Sequence, residues 1–128
     1  MRFLLDTHAL LWFLANAPRL SPYAKSLIED THSEAVVSIV SLWEIAIKNS
    51  GGKLPLPMPF VALFPAQLDL NSITLLPITI AQLDEVTRLP FHHRDPFDRL
   101  LIAQARAESI PIVSVDAAFS PYDVQIKW

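Results

Sequence analysis

The feature that most constrains this chain is a set of short apolar runs, each too short for a stable helix and most of them ending on a polar residue. Arg2-Phe3-Leu4-Leu5 runs into Asp6-Thr7, Ala35-Val36-Val37 ends at Ser38, and Ile112-Val113-Ser114-Val115 ends at Asp116. Ile73-Thr74-Leu75-Leu76 and Val124-Gln125-Ile126 have the same character. Runs of this length without polar alternation read as strands buried on both faces. Between them lie segments with helical signals. Residues 8–15 are helix-favouring and close at Asn16 and Pro18, and Ser21-Pro22 supplies an N-cap and a first-turn proline for a helix to about 30. Residues 42–48 have helical spacing and stop at Gly51-Gly52. Residues 60–70 read as a helix disturbed by Pro65, and 80–89 as a helix capped by Thr79. Asp95-Pro96 opens the clearest helix, running to about 109. Pro55, Pro57 and Pro59 predict an extended surface loop over 53–59, because proline neither donates to a ladder nor continues a helix.

Strands alternating with helices, without repeat or linker, predict a three-layer α/β/α domain with a mostly parallel central sheet of about five strands. A length of 128 residues suits one domain over 1–128, and 52% hydrophobic residues supply its core. The chain has no cysteine, which removes disulfides, thiolate metal sites and a cysteine nucleophile together. The longest membrane-like stretch, 54–66, is short and holds four prolines, and no leader pattern precedes Asp6, so a cytoplasmic protein is expected. A net charge of −3 disfavours coating nucleic acid through a broadly basic surface. With only two glycines there is no Gly-rich phosphate loop, and no serine sits in a nucleophile elbow.

What remains informative is where the acids fall. In open α/β sheets ligands sit beyond the carboxyl ends of the strands, near a switch in strand order. Asp6 and Asp116 each follow an apolar strand, while Glu44 and Asp98 are expected in the first turns of helices. Four acids distant in sequence can thus gather at one sheet edge. Gathered carboxylates repel and raise one another's pKa, so a divalent cation is the natural compensation. An all-oxygen set favours magnesium or manganese over zinc. Such a cation in an open cleft suits phosphodiester hydrolysis.

Each acid also has a purely structural explanation. Asp6 can cap the following helix, and Asp116 can serve a turn. Ser41-Leu42-Trp43-Glu44 has capping-box spacing, and Glu44 precedes Lys48 by four residues, as a surface pair requires. Asp95 before Pro96 reads mainly as an N-cap with a secondary role beside the metal, and Asp98 gains from the helix dipole. Around these, Thr7 and His8 are candidates for supporting hydrogen bonds. Arg99 is expected either to pair with Asp95 or, with Lys48, to line the mouth of the acidic site. His92-His93-Arg94 either touches phosphate or forms an exposed loop.

Leu4-Leu5-Asp6-Thr7-His8, Ser41-Leu42-Trp43-Glu44-Ile45, His93-Arg94-Asp95-Pro96-Phe97-Asp98-Arg99-Leu100-Leu101-Ile102-Ala103-Gln104-Ala105 and Val113-Ser114-Val115-Asp116 occur in that order. Together they resemble the PIN domain family and, within it, the VapC-like toxins of type II toxin–antitoxin pairs. The resemblance spans nearly the whole chain. It implies an Mg2+- or Mn2+-dependent ribonuclease whose catalytic, metal-holding acids correspond to Asp6, Glu44, Asp98 and Asp116. It also implies an RNA substrate, cleavage leaving 5′-phosphate and 3′-hydroxyl ends, a cognate antitoxin that covers the site, and a homodimer. The family's third acid opens a helix of the form Asp-x-x-x-x-Ala-x-Ala, a frame that Asp98 fits with Ala103 and Ala105 and Asp95 does not. His8 stands where many relatives carry Asn or Ser. The competing expectations are a PIN-like scaffold that binds RNA or protein without catalysis and, well behind, a phospho-acceptor receiver domain. A receiver needs paired acids after its first strand, whereas Asp6 stands alone there.

Overall fold

The structure is a computed structural model describing residues 1–128. Its centre is a five-stranded sheet in the order β3-β2-β1-β4-β5, in which every neighbouring pair is parallel. The strands are β1 (Arg2–Leu5), β2 (Glu34–Ser38), β3 (Thr74–Leu76), β4 (Ile112–Val113) and β5 (Ile126–Lys127). The helices are α1 (Thr7–Leu14), α2 (Pro22–Glu29), α3 (Ile39–Ser50), α4 (Phe60–Leu63), α5 (Ala66–Leu70), α6 (Ile80–Arg88) and α7 (Pro96–Glu108).

Strand periodicity divides the core into two layers, because successive side chains point to opposite faces. Phe3 and Leu5 of β1, Ala35 and Val37 of β2 and Val113 of β4 face one cluster, which α1, α2 and α3 complete through Leu10, Ile28 and Ile45. Leu4, Val36 and Ile112 face the other, closed by Leu101, Ile102 and Ala105 of α7. Burial on both faces explains why these strands read as continuous apolar runs. The three-layer α/β expectation holds.

Most element boundaries follow the caps foreseen from sequence. Ser21 accepts a hydrogen bond from the Ala24 amide, and Thr79 forms a full capping box with Gln82. Residues 60–70 break at Pro65 into two short helices. Two expectations need correction. First, α3 starts at Ile39, with Ser38 as its N-cap accepting from the Val40 amide. Ser41 therefore lies inside the helix, and Ser41 with Glu44 forms no capping box. The buried strand passes straight into the helix, so the first capable hydroxyl takes the cap. Second, β4 ends at Val113 and β5 begins at Ile126, because a 3-10 turn at Ala117–Phe119 draws the chain away from the sheet.

The chain lays down β1, β2 and β3 outward in one direction, then returns to place β4 against the other side of β1. Strand order thus reverses at β1. The carboxyl ends of β1 and β4 frame the crevice where such sheets bind ligands. The Asp6 amide, donating to the Val113 carbonyl at 3.2 Å, ties those two ends together.

Candidate active site

At that crevice lies a cavity of about 360 Å³ lined by Asp6, Thr7, His8, Glu44, Lys48, His93, Asp95, Asp98, Asp116 and Ala118. The structure therefore brings Asp6, Glu44, Asp98 and Asp116 around one space from the end of β1, the middle of α3, the first turn of α7 and the segment after β4.

Each acid is held locally. Asp6 is buried, and its Oδ1 accepts from the Ala9 amide at 2.7 Å, so it does cap α1. Burial pushes the Asp6 carboxyl above the usual range, opposed by hydrogen bonds from Ser114 and the Ala9 amide. Capping and cavity lining thus coexist in one side chain. The same holds for Asp95, whose Oδ1 accepts from the Phe97 amide at 2.9 Å and the Asp98 amide at 3.3 Å. Asp116 is exposed and accepts from the Ala118 amide at 2.9 Å, and its own amide donates to Ser114 Oγ at 2.9 Å.

Glu44 is buried, on the second turn of α3 and not the first. Its two oxygens have separate partners. Thr7 Oγ1 lies 2.7 Å from Oε1 and 3.0 Å from Ser41 Oγ. A carboxylate only accepts, so the single Thr7 proton goes to Glu44 and the Ser41 hydroxyl donates to Thr7. Lys48 Nζ donates to Oε2 at 2.6 Å. The i,i+4 pair expected from sequence is present, but it belongs to the cavity wall and not to open surface. The neighbouring carboxylates of Glu44, Asp95 and Asp98 all support the lysine's charge, with the Glu44 hydrogen bond foremost.

Asp98 is the most perturbed acid. Burial, then the adjacent Asp95 and, less strongly, Glu44, push its carboxyl up to about 6, against a lowering influence from His93. His93 Nε2 lies 2.8 Å from Asp98 Oδ2. Donor atoms of His93, Asp95 and Asp98 all fall within 4.8 Å of one another. The tightest group in the cavity thus includes Asp95, read from sequence mainly as a cap, and His93, which sequence reasoning left between phosphate contact and exposed loop.

His8 lines the cavity rim with its ring centroid 5.7 Å from that of Trp12. Arg99 does not belong here, which corrects both expectations for it. Its side chain is buried and donates to the carbonyls of Pro90, Leu89, Val86 and His93, under the ring of Phe91. From the fourth position of α7 it points away from the acids into the preceding segment, whose carbonyls take its donors.

The donor set fits a hard divalent cation. Five carboxylates face one cavity, and Lys48 is the one lysine or arginine among its lining residues. No thiol is present, and Asp98 carries an electrostatic penalty that an added positive charge would remove.

A family model described as the PIN domain matches residues 3–125. No curated protein matches the sequence. Among solved structures, VapBC2 from Rickettsia felis bound to a promoter DNA fragment is similar with a TM-score of 0.73 at 12% identity, over 99% of this chain and 98% of that one. FitAcB from Neisseria gonorrhoeae gives 0.65 at 17% identity, over 97% and 95%. A toxin–antitoxin complex from Klebsiella pneumoniae gives 0.66 at 14%, over 98% and 95%.

Proposed function

This chain belongs to the PIN domain family, and on that premise we propose that it is a divalent-metal-dependent endoribonuclease, the toxin of a type II toxin–antitoxin pair, working as a single domain. The observation that carries the reading is the convergence of Asp6, Glu44, Asp98 and Asp116 on one cavity at the point where strand order reverses. These four acids would hold Mg2+ or Mn2+, directly or through water, with Asp95 beside them. The cation, when bound, offsets charge on phosphate oxygens and acidifies water.

The chain's own residues do the rest. Thr7 and Lys48 fix the two Glu44 oxygens, and the Ala9 amide fixes Asp6, so that these carboxylates are oriented before any ligand arrives. Lys48, which lines the cavity, would meet a phosphate oxygen of the substrate. Water adds to phosphorus and the bond to the 3′ oxygen breaks, leaving 5′-phosphate and 3′-hydroxyl ends. An RNA strand must be gripped by shape and a few cations, since the chain's net charge is −3.

The proposed partners are a cognate antitoxin and a second copy of the chain. In support, the similar structures include toxin–antitoxin complexes. No helix is long and apolar enough to cross a membrane, which accords with the cytoplasmic location we propose.

The test is cleavage of single-stranded RNA by purified protein in Mg2+, then in chelator. Activity should require the cation and fall at least a hundredfold in Asp98→Asn and Asp6→Asn, in line with rate losses of about 10²–10³ for removing a key charge-stabilising group. Full activity of both folded variants would overturn the mechanism. Tight RNA binding without turnover under any divalent cation would instead indicate a scaffold.

A further inference from the structure

His93 is fixed at three points. Its backbone amide donates to the Tyr122 hydroxyl at 2.8 Å, and its carbonyl accepts from Arg99 at 3.4 Å. Tyr122 and Arg99 are both buried and lie 3.4 Å apart through the hydroxyl and the guanidinium. The third point is the ring. Its Nδ1 faces the amides of Arg94 at 3.0 Å and Asp95 at 3.4 Å.

Two N–H groups aimed at Nδ1 require a lone pair there, so in the neutral ring the proton resides on Nε2. Nε2 is the atom 2.8 Å from Asp98 Oδ2. With its proton in that position the imidazole donates to the carboxylate and has no lone pair on Nε2 to offer a metal. The arginine behind it has four carbonyl partners, on residues 86, 89, 90 and 93, and no carboxylate in hydrogen-bond contact. A buried guanidinium spent on four carbonyls and the Tyr122 hydroxyl acts as a template for the loop's shape.

We propose that Arg99 and Tyr122 clamp the 89–95 loop so that backbone amides lock the His93 tautomer, making His93 a positioning residue that donates to Asp98 Oδ2 and leaves Oδ1 for a ligand. The proposal rests on the reading of Asp98 as a metal-holding acid for its functional consequence, though the locked tautomer is a property of the metal-free protein. His93 is thereby a hydrogen-bond partner of the site and not a member of the coordinating set. Arg99 acts on the site without lining it.

The test has two arms. Long-range 15N–1H NMR on histidine-labelled protein in chelator, at a pH where the ring is neutral, should show the His93 proton on Nε2; a proton on Nδ1 would overturn the lock. Calorimetric titration with Mn2+ should show binding weakened roughly ten- to a hundredfold in His93→Ala, the usual loss for removing a ligand's hydrogen-bond partner. His93→Gln, whose amide also donates at that reach, should recover most of it. Tyr122→Phe should shift Mn2+ affinity in the same direction by less, with kcat falling more than KM changes. Wild-type affinity in folded His93→Ala, or equal losses in the Ala and Gln variants, would overturn the positioning role. Failure of the wild type to bind Mn2+ would count against the metal-dependent function, while the NMR arm would still decide the tautomer.

Discussion

Asp98 occupies the third position of α7, where the helix dipole favours a negative charge, yet burial and the neighbouring Asp95 push its carboxyl up to about 6. The unfolded chain releases this proton near 3.8, so between these values the folded protein holds more protons. Its contribution to stability therefore declines as pH rises through that window and is least favourable above about 6. In chelator, Asp98→Asn should melt higher than wild type at pH 7.5, and the difference should vanish towards pH 4. Paired thermal melts across pH check this, and a variant less stable at pH 7.5 would contradict it. Asp98 was picked out in sequence by its place in the first turn of a clearly capped helix, and the PIN resemblance added the alanine spacing. The roles of His93 and Arg99 were not legible. The first depends on a tautomer set by backbone amides, the second on carbonyls presented by the end of α6 and the irregular loop after it, and neither leaves a residue pattern.

At the scale of elements, the apolar runs marked the strands because a sheet covered on both faces demands them, and caps such as Ser21 and Thr79 marked helix starts. The start of α3 was misplaced because Ser38 and Ser41 both have capping chemistry and only the strand's geometry chooses between them. That choice has a consequence for Glu44. A helix beginning at Ile39 moves Glu44 to the second turn, facing Thr7 at the start of α1. Ser38→Ala should cost about 1 kcal/mol through loss of the cap. The urea midpoint would report it, with an unchanged slope indicating that the folded and unfolded states keep their exposed surface. A neutral Ser38→Ala would contradict the assignment. The short β4 and β5 were overestimated or shifted for a related reason: apolar residues such as Val124 pack on the core without joining the ladder.

For the whole molecule, the decisive property is topology. Alternating strands and helices indicated a parallel sheet, but only the order β3-β2-β1-β4-β5 establishes that β1 and β4 are neighbours whose ends open the same crevice. That adjacency brings Asp6 and Asp116 to one cavity across more than a hundred residues of sequence, and the helices that follow β2 and the 89–95 loop add Glu44 and Asp98. Lys48 and a few hydrogen bonds bridge the side chains of this acidic centre, and the electrostatic cost of their crowding falls on Asp98. The most direct measurement is an anomalous difference map from a crystal equilibrated with Mn2+. The account predicts a peak in the acidic cavity within bonding distance of Asp98 and at least one of Asp6, Glu44 and Asp116, and a vacant cavity at saturating Mn2+ would contradict it.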